Sequence, residues 1–163
     1  MATKLKKETA SDLESVKEFK KLHIAIVVAE WNSSITYAMM NGAIDFLIAK
    51  GVKEKNIEVH KVPGAFELPL GSQYCAEKKN IDAVIALGCI IQGETRHFDF
   101  ICDACAKGIM NVSLTYNLPV AFGVLTTENE KQAKERSGGK LGNKGVEAAE
   151  AVLKMLLIRN STI

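Results

Sequence analysis

Apolar residues fall in short blocks separated by polar corners. His23–Ala29, Ala83–Ile91 and Val120–Thr126 are nearly unbroken runs of Val, Ile, Leu and Ala. Runs that short, without polar alternation, predict strands covered on both faces, the pattern of parallel sheets. Asn56–Val62 alternates instead, with Ile57 and Val59 set against Glu58 and His60. Between the strands the apolar period changes to that of a helix. Ile35, Ala38, Met39, Ala43, Phe46 and Leu47 form one stripe, running to about Lys50 and closed by Gly51. A second helix holds Pro69 in its first turn and runs to about Lys79. A third, with Thr95 as its N-cap, buries Phe98, Ile101, Cys102, Cys105, Ile109 and Val112. A short helix ends near Arg136, Ser137–Gly142 is a flexible bend, and a last helix from Asn143 to about Arg159 presents Val146, Ala149, Val152, Leu153, Leu156 and Leu157.

Strands alternating with helices predict an α/β fold: a three-layer αβα sandwich around a four-stranded parallel sheet, flavodoxin-like in arrangement. Residues 22–163 form its single domain. Residues 1–21 are too rich in Lys, Glu, Ser and Thr to build a core, although Leu13, Val16 and Phe19 recur at helical spacing, and they are read as a tail.

Composition narrows the function classes. The chain has 163 residues, 47% of them hydrophobic, enough for a core of ordinary size. A net charge of +2 does not call for nucleic acid. The apolar runs fall well short of the ~18 residues that span a bilayer, and the charged N-terminus lacks a signal-peptide core. The four cysteines have no secreted-framework spacing, which leaves a reduced cytoplasmic protein as the simplest expectation. Cys102 and Cys105 share a helix face with Phe98 and Ile109 and lack a second pair at zinc spacing, so buried thiols are expected there and no metal.

The chemistry is expected in the corners after the strands, at the sheet's carboxyl end, where open α/β folds bind ligands. The corner after the third strand reads Gln92-Gly93-Glu94-Thr95-Arg96-His97. A helix start there offers N–H groups to an anion. His97 lies beside it, and a helix N-terminus favours the neutral imidazole suited to moving protons. The sole tryptophan, Trp31, follows the first strand and can stack on a flat heterocycle or belong to the core. Pro63-Gly64-Ala65-Phe66-Glu67 is either a tight turn or a wall and carboxylate for a polar ligand. Arg136 and Lys144 bracket a glycine-rich bend that could wrap a phosphate, although the order matches no nucleotide-binding motif.

Four separated blocks then resemble the lumazine synthase family: Pro63-Gly64-Ala65-Phe66-Glu67-Leu68-Pro69, Leu87 to His97, Phe122-Gly123-Val124-Leu125-Thr126, and Gln132 to Gly145. The resemblance covers about His23 to Arg159. It implies condensation of 5-amino-6-(D-ribitylamino)uracil with 3,4-dihydroxy-2-butanone 4-phosphate, two small-molecule substrates, with no cofactor. It also implies roles. His97 transfers protons. Trp31, Ala65, Phe66, Glu67, Cys89, Ile90, Ile91 and Phe122 hold the pyrimidine and its ribityl chain. Glu94, Thr95 and Arg136 meet the phosphate, supported by Lys144 and Glu147. Phe122, Arg136, Lys144 and Glu147 come from the adjacent subunit, because the family's sites lie between chains of a pentamer. Twelve pentamers forming a shell are favoured by the unextended bend Gly138–Gly142, and association with riboflavin synthase is a further possibility of the family. Three positions depart from the common pattern. Trp31 stands where Phe is more usual, Cys89 where a small or hydroxyl residue is, and Glu94 brings a carboxylate to a phosphate site, its charge partly offset by Arg96. A flavin- or lumazine-binding module without turnover would keep Trp31 and Glu67 but need neither His97 nor Arg136, and a shell-forming scaffold whose chemistry is secondary is a third reading.

Overall fold

The computed structural model describes residues 17–162. Its strands are β1 (Ile24–Ala29), β2 (Ile57–Val62), β3 (Ala83–Ile91) and β4 (Val120–Thr127), and they form one sheet in the order β2-β1-β3-β4. Every pairing in it is parallel. Helices α1 (Ser33–Ala49), α2 (Leu68–Ala76), α3 (His97–Tyr116), α4 (Glu130–Glu135) and α5 (Lys144–Thr162) complete the layers, with a small antiparallel hairpin, β5 (Ser137–Gly139) and β6 (Gly142–Asn143). The expected α/β sandwich around a four-stranded parallel sheet is therefore present.

The lack of polar alternation in β1 and β3 has a direct cause. Ile24, Ile26 and Val28 on one face, with Ile85, Leu87 and Cys89, pack against α1 and α5. Ala25 and Val27 on the other, with Val84 and Ala86, pack with Leu68, Cys105 and Ile109 of α2 and α3. Both faces of the central strands are dry, so both must be apolar. β2 is an edge strand, and its expected alternation gives way there: Val59 is 40% exposed.

Phe19 corrects the reading of residues 1–21 as wholly outside the core. It lies in a 3₁₀ turn over Lys17–Lys21 and is 1% exposed in the α1/α5 core. Leu13 and Val16 lie outside the described residues. Three boundaries also move. α2 ends at Ala76, not Lys79, because Glu77, Lys78 and Lys79 have no apolar side chain to bury. α3 begins at His97, so Thr95 is not its N-cap. The expected flexible bend is the β5–β6 hairpin. Gly138 and Gly142 turn it at φ 119° and 87°, backbone that glycine adopts readily and other residues do not.

Asn143 starts α5, as the sequence suggests. Its Oδ1 accepts from the N–H groups of Gly145 (2.8 Å) and Val146 (3.4 Å), satisfying donors that a helix start leaves open. Its Nδ2 donates to the Ala38 carbonyl at 3.1 Å, which fastens α5 to α1. Gly145 lies so close to the Met39 backbone that a β-carbon would overlap it.

Candidate active site

The strand order creates a switch point. From β1 the chain crosses to β2 on one side, then returns to β3 on the other, so β1 and β3 are neighbours whose helices leave toward opposite layers. A crevice opens at such a point, at the carboxyl ends of the strands. The residues bordering it are tied across the sheet. Glu30 N–H donates to Val62 O at 2.8 Å and Trp31 N–H to Pro63 O at 3.1 Å. The Asn32 side-chain amide donates to Cys89 O at 2.9 Å. Gln92 N–H donates to Thr127 O at 2.8 Å. The hydrogen bonding of the sheet thus continues past the strands and holds all four corners in one row.

Trp31, Ala65, Phe66, Glu67, Cys89, Ile90, Ile91, Glu94, Thr95 and His97 all lie on these corners or the strand ends feeding them. Trp31 is 76% exposed, which removes the core reading of this residue. Phe66 is 59% exposed in the 3₁₀ turn Ala65–Glu67, and Ala65 is buried beneath it. Glu67 Oε2 accepts from Gly64 N–H at 3.0 Å, so the carboxylate is positioned by its own turn. The block is a tight turn, and the turn fixes the Glu67 carboxylate at the carboxyl end of the sheet.

The third corner is open. Glu94, Thr95, Arg96 and His97 are exposed. The Thr95 hydroxyl accepts weakly from His97 N–H at 3.4 Å. The Arg96 guanidinium faces Asp99 at 3.5 Å, an exposed contact of little energetic weight. The Cys89 side chain is buried and its carbonyl is engaged by Asn32, so this residue is tied into the wall. Burial pushes its thiol up to about 11. Cys105 is pushed up to about 12 by burial, and burial with the nearby Asp99 raises Cys102. Such thiols stay protonated at neutral pH and are poor nucleophiles. Among the described residues, no group of His, Cys, Asp and Glu could hold a metal.

Phe122, Arg136, Lys144 and Glu147 are not brought to this crevice. Phe122 pairs with Ala86, five positions before the Ile91–Thr127 pair that ends the sheet, and is 38% exposed on edge strand β4. At about 3.3 Å per residue it lies roughly 16 Å short of the carboxyl edge. Arg136 follows α4 and its carbonyl accepts from Lys144 N–H at 2.9 Å. The hairpin beyond it packs on α1 and α5, the layer opposite the one that α3 and His97 occupy. Lys144 Nζ and Glu147 Oε2 pair at 2.8 Å. Two surface clefts, about 410 and 360 Å³, lie elsewhere, one along α4 and one between α2 and α3.

Sequence reasoning did not find the tie that the Asn32 amide makes from the first corner to β3. The residue's type and place suggest an ordinary helix cap, and only the strand order shows what its amide reaches.

No helix of the described residues is long and apolar enough to cross a membrane. A family profile for 6,7-dimethyl-8-ribityllumazine synthase matches residues 21–160. The 6,7-dimethyl-8-ribityllumazine synthase of Cytophaga hutchinsonii is 60% identical over 131 residues, 80% of this chain and 82% of that one. Its counterpart from Porphyromonas gingivalis is 52% identical over 95% of this chain and 96% of its own. That from Parabacteroides distasonis is 46% identical over 96% and 98%. With the four corners, their ties and these relatives in agreement, the chain belongs to the 6,7-dimethyl-8-ribityllumazine synthase family.

Proposed function

We propose that the chain catalyses the reaction for which its family is named, as a transferase of riboflavin biosynthesis. The amine of 5-amino-6-(D-ribitylamino)uracil attacks the ketone of 3,4-dihydroxy-2-butanone 4-phosphate, an imine forms with loss of water, phosphate is eliminated, and ring closure with dehydration gives the lumazine. The observation that supports this reading for the chain itself is the row of tied corners, which sets an exposed aromatic ring, a positioned carboxylate and an exposed histidine along one crevice. Trp31 stacks on the pyrimidine. Ala65, Phe66 and Glu67, with the backbone at the end of β3, hold the pyrimidine and ribityl chain. Thr95 and the N–H group of Glu94 meet the phosphate. His97 relays protons between the attacking amine, the carbinolamine oxygen and the departing phosphate. Holding two reactants side by side supplies much of the acceleration.

The site is completed by a second copy. The separation of Phe122 and Arg136 from the crevice within one chain supports it. So does the outer face of α2 and α3, where Leu70, Tyr74, Phe100, Met110 and Leu114 are each more than half exposed. A patch of that kind on a folded chain marks an interaction surface. We take the assembly to be a pentamer, twelve of which build a shell, with residues 22–163, together with the core residue Phe19, as the assembling domain. Phe122 then closes the pyrimidine pocket of the neighbour, and Arg136 grips its phosphate, supported by the charges of Lys144 and Glu147, which pair with each other. Incubating purified protein with both substrates and following lumazine fluorescence tests the activity, and no product above the uncatalysed background overturns it. Light scattering tests the assembly, since pentamer and shell differ about twelvefold in mass.

A further inference from the structure

Asn32 stands at the N-terminus of α1 but does not cap it. Its backbone is left-handed, φ 57° and ψ 43°, and its side chain makes no hydrogen bond to the helix. An N-cap asparagine ordinarily keeps extended backbone and turns its side-chain oxygen onto the first free N–H groups. Giving that up costs a cap, and a left-handed backbone is disfavoured for most residues, least so for asparagine and glycine. The gain lies 57 residues away along the chain. The Asn32 Nδ2 donates to the carbonyl of Cys89 at 2.9 Å, across the gap between the end of β1 and the end of β3.

Its neighbours are held just as firmly. The Asn32 carbonyl accepts from Ile35 N–H (2.8 Å) and Thr36 N–H (3.0 Å). Thr36, fully buried, donates its hydroxyl to Ala29 O at 2.8 Å and so closes β1 beneath the corner. On the other side Trp31 N–H is fixed to Pro63 O. Trp31 therefore sits between a tie to the second corner and a tie to the third strand, while its ring remains open to solvent.

We infer that Asn32 is a positioning residue: a latch across the switch point that fixes the Trp31 backbone and the β3 terminus relative to one another, and so sets the width of the slot that receives the flat pyrimidine ring. This rests on the function proposed above. The latch acts on the pyrimidine side of the crevice alone, since the phosphate contacts lie on the α3 start and on Arg136.

Asn32→Gly keeps the left-handed backbone and deletes the amide. Asn32→Asp keeps shape and backbone preference but cannot donate to the Cys89 carbonyl when ionised. Both are to be assayed with each substrate varied in turn, beside the unaltered protein. The KM for 5-amino-6-(D-ribitylamino)uracil is expected to rise about tenfold, the loss of one hydrogen-bonded tie, with the KM for the phosphorylated ketone unchanged within about twofold. Because Trp31 is the sole tryptophan, time-resolved fluorescence anisotropy reads its local motion without substrate. Both variants are expected to show a larger fast depolarisation than the unaltered protein. Equal rises in both KM values would reduce Asn32 to a general structural role and overturn the inference. So would unchanged KM values with unchanged anisotropy. If the unaltered protein makes no lumazine, the proposed function fails on that result, and the anisotropy still decides for or against the latch.

Discussion

One chain holds two sets of proposed site residues, and they are built differently. Trp31, the Gly64–Glu67 turn and the end of β3 are fastened to one another by hydrogen bonds between corners that lie tens of residues apart. Phe122 sits on the far edge strand and Arg136 behind α4, where Lys144 donates its N–H to the Arg136 carbonyl and pairs with Glu147, and Asn143 fastens the region to α1. The first set is preorganised as a crevice with one side missing. The second lies away from that crevice. Under the proposed function each completes a copy of the other, as in a heterologous ring contact.

Arg136→Ala should have the largest effect. Losing a bidentate charged grip on a phosphate costs about 3 kcal/mol, or roughly 150-fold in kcat/KM for the phosphorylated ketone. Its melting temperature should stay close to that of the unaltered protein, because Arg136 is only half buried. Steady-state kinetics beside a thermal melt reads both. A loss of folding would move Arg136 from ligand binding to structure.

His97→Ala comes next. Removing a group that relays protons should lower kcat about 100-fold with little change in either KM. His97 is exposed, so circular dichroism should show an unchanged fold. An unchanged kcat would leave the proton transfers to water or to the substrate's own phosphate.

Trp31→Ala separates the two halves of the crevice. About tenfold in the KM for the pyrimidine is expected from the lost stacking area, with the ketone KM unaltered. Trp31→Phe should recover most of it. If Trp31→Ala alters both values equally, the ring is part of the assembly contact and not of the slot.

The prediction furthest from the chemistry concerns the cores beneath the site. Cys89 lies in the α1/α5 core and Cys105 in the α2/α3 core, and burial raises both thiols, to about 11 and about 12. A thiol held protonated by the fold stabilises it fully below the ordinary value of 9.0, and that contribution is lost as pH rises through the raised one. Denaturant melts should therefore show stability falling between about pH 9 and 12, and Cys105→Ala should flatten the slope. An unchanged slope would place the alkaline loss elsewhere.

The central layer was legible because its physics is local. β3 must be apolar on both faces, and its bounds, Ala83–Ile91, follow from the apolar run alone. The corner residues were legible too, since parallel strands put every strand-to-helix corner at one end. What the pattern hid was long-range. Phe19 looks like part of a polar tail until the α1/α5 core is seen to lack a lid without it. Ser137–Gly142 has the composition of a loose bend, yet glycines at positive φ close it into a hairpin. Asn32 reads as a cap because local preference says so, and only the adjacency of β1 and β3 redirects its amide. The roles of Phe122 and Arg136 came from family resemblance. Nothing local distinguishes an edge-strand Phe that serves a neighbour from one that is merely exposed.

The claim that the two sets meet between chains can be measured directly by mixing. His97→Ala and Arg136→Ala proteins, each nearly inactive, are dissociated together in equal amounts and reassembled. If every site takes its crevice from one chain and its Arg136 from the next, random assembly leaves about one site in four with both residues intact, and about a quarter of the unaltered activity returns. If each chain carries a complete site of its own, no mixture can restore one, and the reassembled protein stays as inactive as its parents.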